Sequence, residues 1–213
     1  MNYDLIIIGG GAAGQMAAIS AKRKNPELKV VILDRTFALG RKILVCGAGR
    51  CNITNINLDK NIKDHYYSSN PEFPEKILTQ FGYQDIVKFF EDLGIELYVE
   101  RKTNIGKLFP ITDSAKTVTA LLEDELERLN IDIHLNTDVT KIDELRITNE
   151  KNKFELTASI LNPEGKEIGH SSFVTRNLII SAGGKTYPAL GSNGSGYNLT
   201  ESFGHTIIKP VPS

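Results

Sequence analysis

The sequence predicts an α/β fold organised around a parallel sheet, and three observations carry that prediction. The opening run MNYDLIIIGGGAAG passes from strand formers into Gly9, Gly11 and Gly14, spaced G-x-G-x-x-G, and then into a helix-favouring segment. A second apolar run ends in Asp34, twenty residues after Gly14. Three alternating, β-rich stretches then precede a last buried-looking strand that ends in Ala182-Gly183-Gly184.

Each element has a local reason. Tyr3–Ile8 is a short apolar run of strand formers. Gly9 permits the tight turn after it, Gly11 has no Cβ to hold a pyrophosphate away from the backbone, and Gly14 lets helix and strand pack closely. The helix predicted over Ala12–Lys24 offers unpaired N–H groups, those of Ala12 and Ala13 among them, and the positive end of its dipole to the phosphates. The second strand, Lys29–Leu33, delivers Asp34, with Arg35 beside it, to where a carboxylate accepts hydrogen bonds from an adenosine ribose. A carboxylate there favours a ribose 2′-OH and repels a 2′-phosphate, which points to FAD or NAD over NADP.

Thr36–Tyr67 is long, rich in Gly and Asn, and reads as a functional loop or as disorder. Helices are predicted over Glu72–Phe81 and Gln84–Leu93, the second closed by Gly94, with a strand over Ile95–Glu100. Ser114–Leu129 is an amphipathic helix with Val118, Leu121, Leu122, Leu126 and Leu129 on one face, and Thr112 or Asp113 is placed to cap it. Glu123, Asp124, Glu125 and Glu127 read as its solvated face, as Lys22, Arg23 and Lys24 read as the solvated end of the first helix. Ile131–Leu135 is a short strand. Val139–Thr148, Phe154–Ile160 and Ser172–Arg176, separated by turn residues such as Asn162-Pro163-Glu164-Gly165, form a β-meander that leads to the strand Leu178–Ser181.

A hydrophobic content of 40%, a charged content of 24% and a formal charge of −1 describe an ordinary globular chain, with no electrostatic footprint for nucleic acid or an anionic membrane. The apolar stretch Leu5–Ile19 is broken by glycines and Gln15, which argues against a membrane span, and Asp4 argues against an export signal. Two cysteines suit a reducing cytoplasm. His65, His134, His170 and His205 are scattered without ligand spacing, which speaks against a metal site; His205 reads as a packed helix-end residue. No Ser-His-Asp or paired-carboxylate arrangement favours hydrolysis.

A β-meander between the third and fourth parallel strands, with the fourth ending in a small-Gly pair, resembles the FAD-binding domain of the glutathione-reductase-like flavoproteins, a three-layer FAD/NAD(P)-binding Rossmann-like fold. That resemblance implies that a backbone group near Val139 contacts the adenine and that Ala182 and Gly183 approach the cofactor. Val139 reads equally well as a buried strand residue. Three blocks narrow the family: GRKILVCGAGRCNITN at 40–55, GKLFPITDSA at 106–115 and AGGKTYPALGSNGSGY at 182–197. Together they resemble the BaiN-like, or aminoacetone-oxidase-like, FAD-dependent oxidoreductases, also described as NAD(FAD)-utilizing dehydrogenases. The resemblance implies FAD as cofactor, flavin-mediated redox of a small organic substrate, and NAD(P)H as a candidate electron donor.

The first block suits a flavin lining. Gly47, Ala48 and Gly49 let backbone N–H groups come close to a flat ring. Arg41, Lys42 and Arg50 supply positive charge for the pyrophosphate or for the reduced flavin, and Asn52 and Asn55 can donate and accept together. The alternative is a solvated basic loop with Asn turns. Cys46 and Cys51, spaced C-x4-C, read either as a redox pair whose thiolates the neighbouring cations favour or as two reduced cysteines beside a flavin. Members of the resembled family usually carry Ser at position 46, and the second nucleotide domain that flavin disulfide reductases need is missing. Tyr187-Pro188 and the Ser/Gly residues after it read as a flavin-side turn or a rigid turn leading to a helix near Gly196.

The chain stops close to where that family inserts a substrate-side domain, so 1–213 reads as an incomplete FAD-binding domain, either a fragment or a shortened relative. Apolar surface left uncovered is then expected. Two other readings stay open: an NAD-dependent dehydrogenase with a single nucleotide domain, and a non-catalytic nucleotide-binding remnant.

Overall fold

A computed structural model describes residues 1–58, 62, 66, 70–101, 105–145 and 153–210. The chain divides into two compact units, one formed by 1–42 with 123–213 and the other by 43–122.

In the first unit six strands form one mixed sheet, ordered β6-β2-β1-β9-β8-β7. β1 (Asn2–Ile8) pairs in parallel with β2 (Val30–Leu33) on one side and with β9 (Glu167–Ile180) on the other, and β2 pairs in parallel with β6 (Asp132–His134). Leu5–Ile8 and all of β2 are buried, so both faces of these strands are covered. That is why their sequences are continuous apolar runs and do not alternate. β7 (Thr137–Leu145) and β8 (Lys153–Leu161) join β9 as an antiparallel meander. The expected stretch Val139–Thr148 ends within the described residues at Leu145, and 146–152 lie outside them.

The expected strands Ser172–Arg176 and Leu178–Ser181 are one continuous strand. Arg176 and Asn177 look like a polar break but keep the pairing: Thr175 faces Tyr3 of β1 and Phe154 of β8, and Asn177 Nδ2 donates to Asp4 O at 2.8 Å. β9 is therefore antiparallel to β8 along one edge and parallel to β1 along the other.

The meander folds over one face of the parallel strands. Ile6 and Ile8 of β1 and Val31 and Leu33 of β2 share a core with Val139, Ile142, Leu156, Ala158 and Phe173 of the meander. β7 touches β2 although three strands, β1, β9 and β8, lie between them in the order. Leu199 of α5 (Ser195–Glu201) joins the same core. The opposite face is covered by α1 (Ala12–Lys24), which packs on β1 and β2 and buries Ala18 and Ile19. The result is the expected three layers, helix, parallel sheet and meander.

Two charged residues assigned to solvent are buried. Lys22, 8% exposed, donates to Pro26 O at 2.6 Å and Leu28 O at 3.2 Å, satisfying carbonyls just beyond the end of α1. Glu125, 5% exposed, lies on α4 (Ala115–Arg128), where Val118, Leu122 and Leu126 are buried as expected. Its carboxylate takes Arg128 Nε at 2.6 Å and Arg23 Nη2 at 2.8 Å, so two guanidinium groups offset its loss of water. His205 is exposed, not packed.

The second unit holds a three-stranded antiparallel sheet ordered β3-β5-β4, with β3 (Thr54–Asn55), β4 (Leu97–Val99) and β5 (Lys107–Pro110). β3 and β5 are too short to show a period, and β5 ends in a proline, so neither is marked in the sequence. α2 (Glu72–Leu78) and α3 (Tyr83–Asp92) lie between β3 and β4 in the chain; α3 buries Phe89 and Phe90, whose rings meet edge to face at 5.3 Å. Gly94, at φ +88, closes α3 as expected. Asp113 does not cap α4: it sits at φ +48 and its carboxylate accepts a 2.7 Å hydrogen bond from Tyr98 Oη. No helix among the described residues is long and apolar enough to cross a membrane.

Glu125 supplies a test. Its hydrogen bond from Arg128, with Arg23 adding to it, holds the carboxyl below the usual glutamate range despite burial. A depressed folded-state pKa stabilises the fold above the unfolded value, and that stability is lost as pH falls through the folded value. Glu125→Gln is expected to lower stability by about 1–2 kcal/mol at neutral pH. In urea denaturation the gap between variant and parent should close on acidification.

Candidate cofactor site

The turn between β1 and α1 is held by close backbone approach. Gly9 has φ +99, and a Cβ there would lie 2.7 Å from Ser181 O. A Cβ on Gly14 would lie 1.9 Å from Gly9 O, so the helix and the turn meet where no side chain fits. Gly11 differs: a Cβ there meets nothing within 4 Å. Its backbone faces open space, and Ala12 and Ala13 after it are exposed. α1 also starts without a side-chain cap, which leaves its first N–H groups and its dipole for an anion. The residues thus fit a pyrophosphate.

Three residues outside the motif's fixed positions complete the turn. Gly10 could not carry a Cβ, which would fall 2.2 Å from Leu39 Cδ2. Gln15 is fully buried; its Nε2 donates to Gly10 O at 2.9 Å, while its Oε1 has no partner. Ser181 Oγ donates to Ile8 O and Gly9 O at 3.0 and 2.9 Å, fastening the end of β9 to the turn. The glycine spacing could not reveal Gln15 or Ser181, because their partners are backbone carbonyls.

Asp34, at the end of β2, accepts from Gly10 N at 2.6 Å through Oδ2, and from Thr36 N and Thr36 Oγ1, both at 2.7 Å, through Oδ1. It ties two turns together, and its remaining lone pairs are what it can offer a ribose. Arg35 Nε lies 3.5 Å from Asp138 Oδ2. Burial pushes the Asp138 carboxyl up, against the pull of Arg35, and Asp34 adds to the rise. Val139, next in the chain, is 4% exposed with its side chain in the core, and the strand pairing slips between Val139 and Lys141. Ala182 lies against the turn, its Cα 2.8 Å from a Cβ on Gly9, and Gly183 follows at φ +72. Arg41 Nη2 donates to Ala189 O at 3.0 Å and Lys42 Nζ to Thr186 Oγ1 at 2.9 Å, so both cations meet the segment after β9. There Pro188–Leu190 forms one 3₁₀ turn before α5.

Gly49, Arg50, Cys51 and Asn52 belong to the second unit. Arg50 pairs with the buried Glu100 at 2.8 Å, faces Asp113 at 3.8 Å and stacks 4.0 Å from the centre of the Phe109 ring. Its charge is engaged within this unit. Asn52 Oδ1 and Thr54 Oγ1 are buried without a partner. Cys46 and Cys51 are free thiols. Cys51 is not held as a thiolate by nearby cations, as the loop's charge suggests; burial and the Cys46 thiol push it up to about 12. No metal-holding cluster of His, Cys, Asp or Glu occurs among the described residues.

The turn geometry predicts that Gly14→Ala, a change of one methyl group, costs more than about 2 kcal/mol of stability, because backbone atoms must move to admit it. Thermal or urea unfolding measures the loss.

Comparison with known proteins shows the family to which the chain belongs. Residues 3–211 match the HI0933-like protein Rossmann domain. The chain is 37% identical over 207 residues to the 3-dehydro-bile acid delta(4,6)-reductase of Clostridium scindens, covering 97% of this chain and 45% of that protein. It is 30% identical over 208 residues to the ribosomal RNA dihydrouridine synthase of Haemophilus influenzae, covering 98% of this chain and 47% of that protein. The chain thus spans about half the length of the curated relatives it matches. Among solved structures, the open conformation of a flavocytochrome c3 fumarate reductase matches with a TM-score of 0.54 at 17% identity, over 86% of this chain and 34% of that one, a likeness of fold. Family and fold support FAD as the dinucleotide. The RNA-modifying relative stands in tension with the expectation, drawn from charge alone, that nucleic acid is excluded as a partner. The chain belongs to the HI0933-like family, of which it carries the Rossmann domain.

Proposed function

We propose that this chain is the FAD-binding part of a flavin-dependent oxidoreductase that reduces an electron-poor carbon–carbon double bond in a small organic substrate. The observation that carries the reading is the match along 97% of the chain to a delta(4,6)-reductase, over a glycine turn whose backbone is open at Gly11. The chemistry named for the two curated relatives has a common form. One saturates a delta(4,6) system, and the other makes dihydrouridine, a uridine ring with one carbon–carbon bond saturated. When bound, FAD supplies the hydride through its N5.

The residues of this chain bind and orient. In this reading the N–H groups of Gly11, Ala12 and Ala13 hold the pyrophosphate, and Asp34 accepts from the adenosine ribose. A backbone group near Val139 meets the adenine, with Arg35 close by. Arg41 and Lys42 balance phosphate charge from the first unit, and Ala182 and Gly183 line the turn. Gly49, Arg50, Cys51 and Asn52 supply the flavin-side loop, Arg50 by holding that loop in shape. NAD(P)H is the proposed donor, and two free cysteines suit a cytoplasmic setting.

RNA as substrate is the second reading, motivated by the relative that modifies ribosomal RNA. The higher identity to the bile-acid reductase and a net charge of −1 favour the small molecule. Incubation of the full-length protein with NAD(P)H and either a steroid dienone or unmodified ribosomal RNA separates the two. Saturation of the dienone supports the first, dihydrouridine in the RNA supports the second, and neither product removes both.

Two substitutions test the cofactor residues by FAD titration, followed between about 350 and 500 nm. Gly11→Val is expected to abolish FAD binding while leaving the melting temperature near that of the parent. Full retained affinity would displace the pyrophosphate from this turn. Asp34→Ala is expected to weaken FAD binding by about 1–3 kcal/mol through lost charge-assisted hydrogen bonds. Unchanged affinity would remove the ribose role.

A further inference from the structure

Within the second unit, the two cysteines of the chain sit at the ends of one tight turn. Cys51 N donates to Cys46 O at 3.0 Å, and Arg50 N donates to Gly47 O at 3.3 Å inside it. Gly47, Ala48, Gly49 and Cys51 all hold positive φ, at 57°, 57°, 85° and 64°. For Ala48 and Cys51 this left-handed backbone is strained, and the surrounding contacts must hold it. That 3.0 Å bond joins the backbones of the two cysteines across the turn, and burial together with the neighbouring Cys46 pushes the Cys51 thiol up. The Cys46 thiol donates to Asn52 O at 3.5 Å.

The two sulfurs differ in access. Cys46 is half-buried, between Val45, 52% exposed, and an exposed Ala48. Cys51 is 6% exposed. Cys46 is therefore open to reagents from solvent, and Cys51 is shielded from them. That is the arrangement of an attacking and a resolving cysteine.

We propose that Cys46 and Cys51 are a thiol–disulfide modification site, oxidised to an intraloop disulfide by a small disulfide such as oxidised glutathione. The Cys46 thiolate attacks one sulfur of the oxidant, the oxidant's S–S bond breaks, and the first thiol leaves and takes up a proton. Cys51 then loses its proton to water and attacks Cys46 Sγ, expelling the second thiol. Two cysteines give up two electrons and two protons, and one external disulfide becomes two thiols. Burial and the neighbouring Cys46 raise the Cys51 pKa. The product fixes by a covalent bond the left-handed turn that the reduced loop already adopts.

The cleavage pattern of the chain makes the test direct, because Arg50 stands between the two cysteines and Lys42 precedes them. The full-length protein is equilibrated in glutathione buffers of increasing oxidised fraction, quenched by alkylation in acid and digested with trypsin. The expected result is a cross-linked pair, Ile43–Arg50 joined to the peptide that begins at Cys51, lighter by two hydrogens than the sum of its parts. The intact chain should stay monomeric on a non-reducing gel. Cys51→Ser should instead accumulate a glutathione adduct on Cys46, and Cys46→Ser should leave Cys51 unmodified. A stable glutathione adduct on Cys46 of the parent, two untouched thiols at every buffer ratio, or a link found only between two chains would each overturn the proposal.

Discussion

Much of the first unit depends on the absence of side-chain atoms where β1 turns into α1. Gly14 meets the Gly9 carbonyl at a distance that admits no Cβ, and Gly9 in turn meets Ser181 and Ala182 at the end of β9. Ser181 Oγ binds the carbonyls of Ile8 and Gly9 from one side, and Asp34 takes the amide of Gly10 from the other. Three parallel strand ends are thereby tied at one point. Backbone donors at that point are spent on the protein up to Gly10, and the next ones open outward. The anion site is therefore a product of the packing: a turn tightened this far has no room to satisfy the first amides of α1 internally.

β9 carries the second constraint. One edge of this strand reads as the end of a meander and the other as the last strand of a parallel sheet. Because the strands twist, a meander attached to it swings over the parallel strands and covers one face of them. Phe173, Leu156 and Ala158, all fully buried, then fill the space above Ile6. The core is shared between two kinds of sheet, and neither kind would bury its apolar face alone. Buried charges sit where helices end: Lys22 serves carbonyls beyond α1, and Glu125 gathers two arginines from α1 and α4.

What the sequence reveals and what it hides divide along a physical line. Period and punctuation mark β1, α1, β2, the apolar face of α4 and the meander, because burial on one or two faces leaves a repeating pattern. They do not mark β3, of two residues, or β5, of four. The continuity of β9 is hidden by Arg176 and Asn177, whose polar side chains are exposed while the strand runs on through them and Asn177 pairs with Leu5. Glu125 and Lys22 are misread for another reason: a charged side chain on a helix is solvated by default, and its burial shows only when partners from distant parts of the chain are in place. At the site, the glycine positions are legible because geometry demands them. Gln15 and Ser181 are silent because they serve main-chain carbonyls, and the partners of Arg50 are hidden because Glu100 and Phe109 lie far from it in sequence.

The pairing of β1 with β9 also sets a timetable for the growing chain. β1 finds β2 within some thirty residues, yet its other neighbour includes Ile180, whose partner is Ile8. At synthesis rates of about 5–20 residues per second, the first strand waits on the order of ten seconds with one edge unpaired. During that interval the apolar edge of Leu5–Ile8 presents open backbone groups to other chains, and the glycine turn lacks the Ser181 that fastens it. Among the described strands, β9 enters the centre of the sheet after the other five are made. Premature release of the chain before residue 180 would therefore yield a species with an exposed strand edge and no formed phosphate turn.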